Sequence, residues 1–337
     1  MITTNQNKLN AAMPVIAASY IGPSLTPNRD AIWEEGKLPL NTDSMVNEIM
    51  GQPMRRVGRF IKMVCCGALA CFKNVPLEYL KTKKTGIFLA TGLGNVDEIM
   101  PFITQVFKHG GGFPSPNQFA NSVSNAAAFI LARICEVTGT VLTISQEELS
   151  FESSLWLAQS YLESGKIELA LVGGCDIFTP TVEEYRERVN LTTDNSRFMP
   201  MGEGSSWLLL GNGDGGKIGD ILAVDFGDKL ISPEEFSKSE NILSRSEKLI
   251  AASFSKGSAA QKKNRFLLPG FRVNNIDADF WKLEGWEVDD YLPYCGIHST
   301  AAAFGIARAL RGKPSSLFVH YNCHASGKQV FILASTK

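Results

Sequence analysis

The chain has 337 residues, 44% hydrophobic and 20% charged, ample for a large buried core in one or two domains. Its 33 basic and 34 acidic side chains leave a net charge of −1 with no basic stripe, which disfavours nucleic-acid binding because neutralising phosphates needs clustered Lys and Arg. No uncharged apolar run reaches the roughly 18 residues of a membrane span, and the N-terminus lacks an export-signal pattern. The 7 Cys, odd in number and without paired spacing, suit a reduced, cytoplasmic protein.

In chain order, residues 13–19 (MPVIAAS) form a short apolar run stopped by Gly22-Pro23, the pattern of a buried strand. Asn28-Arg29-Asp30 is expected to open a short helix carrying Ile32 and Trp33. Residues 54–72 read as one long, mostly apolar helix in which Cys65, Cys66 and Cys71 are small core residues. Residues 86–94 (GIFLATGLG) are a strand entering a glycine turn. Gly92 and Gly94 match a fragment of a dinucleotide fingerprint, but without a third glycine and an acidic partner a tight strand-to-helix turn is the stronger reading.

Residues 121–124 are expected to cap a helix over 125–135. A strand-like run over 139–142 leads into TISQEELSFESS, and a helix is expected from about Ser153 to Ser164, ended by Gly165. Residues 169–174 (LALVGG) are a second buried strand, and residues 201–210 (MGEGSSWLLL) are a turn entering another. Residues 214–217 mark a hairpin leading to a strand over 218–226. The Ser/Lys-rich stretch 228–265 is expected to form exposed helices, and a further β-α unit follows over 265–311. The last strands fall at 316–321 and 329–334. Short apolar strands alternating with helices imply an α/β class.

The order of these pieces resembles the β-ketoacyl synthase (ketosynthase) family of the thiolase fold over nearly the whole chain. VIAASYIGPSLTPNRDAIWEEG is similar to that family's opening strand, turn and Trp-bearing helix, and PSPNQFANSVSNAAAFILARICEVTGTVLTIS to the segment leading to its nucleophile. LESGKIELALVGGCD resembles the strand after the nucleophile helix, GEGSSWLLL a glycine–glutamate segment, and YCGIHSTAAAFGIARAL the entry to the helix with the second catalytic His. YNCHASGKQVFILA resembles the terminal glycine-rich loop and strand. The resemblance implies a layered αβαβα fold of two similar halves, 1–212 and 213–337, forming one unit.

It also implies what should be catalytic. An active member takes an acyl group from a carrier protein onto a Cys, and two His residues promote malonyl decarboxylation and stabilise the enolate oxygen. Counting back from Gly165 and Gly173-Gly174 puts Glu148 at the Cys position, or Glu147 or Gln146 with slippage. No His stands in the window expected for the first imidazole, where VNNIDADFWKLEGWEVDD lies, and the usual Lys is missing near Asp290 to Pro293. His298 alone matches, while Cys323 and Ala325 replace two expected Phe residues of the gating loop. The degenerate site thus comprises Glu148, His298, Cys323 and His324, and Phe151, Phe198, Met199, Met201 and Ala325 are candidates for the wall of an acyl tunnel or for plain core.

Several side chains admit two readings. Glu147 and Glu148 are either a carboxylate pair for acid–base work or solvated acids at a helix N-terminus, the second being preferred. His298 is either a residual oxyanion donor or a core imidazole beside Thr300, again with the second preferred. Cys175 is read as a packed core thiol. Cys295, His298, Cys323 and His324 have the types of a zinc site, but adjacent Cys-His ligands diverge, so no metal is assigned.

The function implied by the resemblance is a chain-length-factor-like subunit, closest to those of type II polyketide or aryl-polyene systems. It would be inactive alone, pair with a Cys-bearing ketosynthase paralogue and an acyl carrier protein, and shape the acyl tunnel. It would use no cofactor beyond the carrier's phosphopantetheine arm. The alternatives are a malonyl-carrier-protein decarboxylase supplying a starter unit, and a non-catalytic scaffold or acyl-binding protein.

Overall fold

Among the residues described by the computed structural model (12–32, 38–73, 75–112, 115–178, 201–211, 217–227, 229–254, 263–270, 272–273 and 276–337), ten strands join in one sheet. The first five are β1 (Met13–Ile21), β2 (Thr85–Ala90), β3 (Val141–Ile144), β4 (Leu169–Asp176) and β5 (Gly204–Gly211). The second five are β6 (Gly219–Phe226), β7 (Asn264–Pro269), β8 (Glu287–Val288), β9 (Ser316–Cys323) and β10 (Gln329–Thr336). Their order is β3-β2-β4-β5-β1-β6-β10-β9-β7-β8.

Outward from the central β1–β6 pair, the two halves repeat the same order. β1-β5-β4-β2-β3 matches β6-β10-β9-β7-β8, with parallel pairing at both outer ends and antiparallel pairing toward the centre. The expected division at 212/213 falls between β5 and β6, where residues 212–216 lie outside the described residues; the hairpin expected at 214–217 does so for all but Lys217.

Helices complete five layers. On the outer face of the first half lie α1 (Thr42–Met50), α2 (Arg59–Cys71) and α6 (Ala126–Ile134), with α3 (Leu77–Thr82), α4 (Val96–Lys108) and α5 (Pro116–Ser122) in the same half. Two helices sit between the half-sheets, α7 (Ser150–Glu163) and α11 (Ala301–Gly312). The outer face of the second half is covered by α8 (Ser239–Ser253) and by α9 (Ala278–Leu283), and the short α10 (Leu292–Cys295) precedes α11. β4, β5 and β9 are buried along their whole lengths because helices cover both faces, so they read as apolar runs without alternation.

Several expectations are corrected. Residues 22–32 form turns with no helix and Ile32 is exposed, while Trp33 lies outside the described residues. The helix expected over 54–72 begins only at Arg59, with Gly58 as its cap. Asn121 and Ser122 cap nothing downstream; they end α5, and α6 starts after Asn125 without a side-chain cap. The helix expected from Ser153 begins at Ser150, one turn earlier. No helix among the described residues is long and apolar enough to cross a membrane.

The glycine–glutamate segment has a steric reason. A Cβ on Gly202 would stand 1.9 Å from the Cys295 carbonyl oxygen, so the backbones of β5's lead-in and of the loop before α11 can touch only through glycine. Glu203 between the glycines is fully buried, accepting from Leu40 N (2.6 Å), Phe178 N (2.7 Å) and Arg59 Nη1 (2.6 Å).

Candidate functional site

The segment that the resemblance aligns with a nucleophile-bearing turn is the elbow between β3 and α7. After β3 the chain turns through a short 3-10 segment, Glu147–Leu149, with Glu147 in the left-handed region at φ 47°. Ser150 closes the turn: its Oγ accepts from Gln146 N at 2.8 Å and donates to Glu147 O at 2.7 Å. This internal satisfaction lets a polar first turn be buried and explains why apolar periodicity missed the start of α7.

Glu148 and Glu152, four residues apart, share one face of this helical stretch. His320, Asn322 and His324 alternate along β9 and just past it, so they share one side of the strand. The two sets meet. Glu148 is wholly buried and its Oε1 accepts from Arg272 Nη2 at 2.7 Å, with the two side chains 0% and 1% exposed. Arg272 enters from the turn after β7. That turn comes close because position 270 is glycine: a Cβ there would stand 2.1 Å from Asn322 Oδ1. The preferred expectation of solvated acids is therefore overturned for Glu148, which is half of a buried ion pair, while Glu147 does face solvent.

Beside this pair, Asn322 Nδ2 donates to Glu148 O (3.0 Å) and to Glu152 Oε1 (2.8 Å). His320 stands 3.0 Å from Leu268 O through Nδ1 and 3.0 Å from Glu152 Oε1 through Nε2. A carbonyl oxygen only accepts, so Nδ1 carries a proton, and a second proton is shared between Nε2 and the carboxylate. Both groups are fully buried and committed to each other. Sequence reasoning missed Arg272, Glu152, His320 and Asn322; the i, i+4 acids and the alternating His-x-Asn-x-His were the available signals.

At the edge of the cluster, His324 Nε2 lies 2.5 Å from Glu147 Oε2 and 3.3 Å from Glu148 Oε2. Its Nδ1 accepts from Ser326 N at 3.1 Å and lies 2.7 Å from Ser326 Oγ, which puts the imidazole proton on Nε2.

His298 belongs to a separate cluster. Asp176 Oδ2 accepts from Thr300 N (3.0 Å) and Thr300 Oγ1 (2.9 Å). Its Oδ1 accepts from Thr91 Oγ1 (2.9 Å), Gly92 N (2.9 Å) and Leu93 N (3.2 Å). The Gly92 turn is thus spent on Asp176, in keeping with the tight-turn reading. Because Thr300 gives its proton to Asp176, its oxygen accepts from His298 Nδ1 at 3.3 Å. The imidazole then carries a proton on Nδ1, and its buried Nε2 has no hydrogen-bond partner among the described residues. The contact with Thr300 is the one the core reading expects.

No thiol is poised to attack. All seven Cys are free and buried, and burial pushes every one above its ordinary value. Cys323 remains raised even with Arg272 nearby, since desolvation outweighs the cation's pull. Cys175 packs in the core as expected. Cys295, His298, Cys323 and His324 do not converge on a common centre; among the described residues the group with metal-ligating spacing is Glu147, Glu148 and His324. Of the tunnel candidates, Phe151 and Met201 lie in the central core, Ala325 is exposed in the turn after β9, and Phe198 and Met199 are outside the described residues.

No family model matches the sequence, and no curated protein matches it. Solved structures do. The ishigamide ketosynthase/chain length factor matches with a TM-score of 0.71 at 15% identity, over 97% of this chain and 99% of that one. A type II PKS acyl-carrier protein in complex with its ketosynthase bound to the hexaketide gives 0.68 at 12% identity, over 97% and 100%. A β-ketoacyl synthase from Burkholderia phymatum STM815 gives 0.68 at 11% identity, over 97% and 100%. The chain therefore has the thiolase-like fold of the ketosynthases over nearly its whole length.

Proposed function

We propose that this chain is a chain length factor: a ketosynthase-like subunit that does not condense by itself and pairs with a Cys-bearing β-ketoacyl synthase. The observation carrying the reading is the buried Glu148–Arg272 pair at the N-terminus of α7, the place the resemblance gives to the acyl-accepting Cys. A carboxylate held by a guanidinium is a poor nucleophile toward a thioester, and no thiolate stands nearby to replace it. The acyl chain would arrive on the phosphopantetheine arm of an acyl carrier protein loaded onto the partner. This subunit would contribute a wall that limits chain length by steric exclusion.

A pairing face supports the same reading. β3 is an edge strand bonded only to β2 among the described residues, and α6, which packs on it, continues through α5 to α4. α4 is amphipathic yet buries no side chain, and Met100, Ile103, Phe107, Phe119 and Phe129 are exposed across these helices. An apolar face of this kind beside an open strand edge fits an obligate subunit, and the proposed occupant is the Cys-bearing ketosynthase.

Co-expression with a Cys-bearing paralogue and a carrier protein tests the proposal. A stable heterodimer that elongates acyl chains, with this chain alone inert, supports it. A homodimer releasing carbon dioxide from malonyl-carrier protein would instead establish the decarboxylase, and a monomer indifferent to both partners would leave the scaffold.

A further inference from the structure

Two carboxylates and an imidazole converge at the edge of the buried network. Glu147, Glu148 and His324 place their ligand atoms within 4.8 Å of one another. Glu148 Oε2 is the informative atom: the side chain is fully buried, Oε1 is taken by Arg272, and Oε2 has no hydrogen-bond partner although it faces His324 Nε2 at 3.3 Å. A buried anionic oxygen left without a donor is costly.

We propose that Glu147, Glu148 and His324 form a binding site for a divalent transition-metal ion of the zinc class. Carboxylate and imidazole donors around such an ion lie roughly 2.0–2.2 Å from it, and hence about 3–4 Å from each other. The observed spacing needs only a small opening of the Glu147–His324 contact. The ion takes the place of the Nε2 proton; the neutral imidazole then carries its proton on Nδ1 and donates it to Ser326 Oγ, and Ser326 N gives up its present bond to Nδ1. Arg272 on Oε1 fixes the Glu148 carboxylate with Oε2 turned toward the group, the outer support that ligating carboxylates usually have. Glu147 and His324 are exposed and half-exposed, which gives the ion a path in and keeps a coordination position open to water or another oxygen donor. The set differs from the Cys/His quartet suggested by sequence, and it stands or falls independently of the pairing partner.

The test uses the full chain stripped with chelator and titrated with Zn2+ in a non-coordinating buffer, followed by calorimetry and metal analysis. One equivalent is expected to bind, weakened at least about tenfold by Glu147→Gln and by His324→Ala. Both substitutions are near the surface, and thermal melts of the metal-free variants identify any folding failure; the Zn2+-induced rise in melting temperature should occur in the original chain and vanish in both variants. Co2+ substitution gives a second readout, in which d–d bands without a thiolate charge-transfer band place the ion on oxygen and nitrogen. Three results overturn the proposal: no stoichiometric binding, binding unchanged in both folded variants, or a thiolate band assigning the ion to Cys323.

Discussion

Replacing Glu148 by Leu would take from the Arg272 guanidinium the carboxylate it meets at 2.7 Å, in a place where neither side chain reaches water. Removing one partner of a buried ion pair costs about 3–5 kcal/mol, because the remaining charge loses its counter-ion and gains no water in exchange. An unfolding entropy of roughly 2 cal/mol/K per residue over the 337 residues gives about 0.7 kcal/mol/K, so the melting midpoint should fall by about 4–7 °C. Arg272→Met should cost a comparable amount by leaving the carboxylate alone. The double variant removes both charges and fills the space with apolar atoms, and it should recover to within about 2 °C of the original chain. Thermal and urea melts of the four proteins complete the cycle. Single variants that melt within about 1 °C of the original, or a double variant that falls by the sum of the two, would refute the assignment of Glu148 as a buried, coupled charge.

The thiols make a pH prediction. Cys66, Cys71 and Cys135 are pushed up to about 12 by burial from an ordinary 9.0, so between those values the folded chain keeps protons that the unfolded chain has lost. Their contribution to stability is intact below pH 9 and declines from 9 toward 12, by about 1.4 kcal/mol per pH unit for each fully buried thiol. Urea titrations at about pH 7.5 and about pH 10 should show it, and a midpoint unchanged across that interval would contradict it. On the apolar face, Phe107→Glu with Phe129→Glu should leave the monomer's melting temperature unchanged, since the two rings are 81% and 58% exposed, and weaken partner binding at least about tenfold in calorimetry. Pairing of undiminished affinity would move the interface elsewhere.

The fold was legible where burial is uniform. LALVGG in β4 and SSWLLL in β5 are covered on both faces, so their apolar runs announce strands without alternation. The start of α7 was hidden because its first turn is polar and buried at once, satisfied by Ser150 and by partners far along the chain. Distance in sequence also obscured the site. Arg272 lies 124 residues from Glu148, and His320 lies 168 from Glu152. A glutamate at a helix N-terminus looks the same in sequence whether the dipole and water hold it or a guanidinium does. The resemblance marked Glu148 as the position to inspect, but its buried ion pair with Arg272 appears only when the turn after β7 and the elbow before α7 are brought together.

The buried pair bears on whether one substitution could give this elbow the thiol that the resemblance implies for active relatives. In Glu148→Cys the introduced sulfur would stop about two bonds short of the carboxylate oxygens, farther from Arg272 than Glu148 Oε1 is now at 2.7 Å. It would occupy the same dry interior as Cys323, whose thiol stays raised with that guanidinium nearby. Desolvation should win again and keep the new thiol protonated. His320 Nε2, an imidazole nitrogen of the same network, is already engaged by Glu152. Glu148→Cys should therefore resist iodoacetamide at neutral pH, take no acyl group from a carrier thioester, and melt below the original chain. Rapid acylation of the purified variant, followed by elongation with malonyl-carrier protein, would show that the missing thiol was the single barrier. On the proposed function the barrier is the whole buried network, which spans the elbow, the turn after β7 and the end of β9.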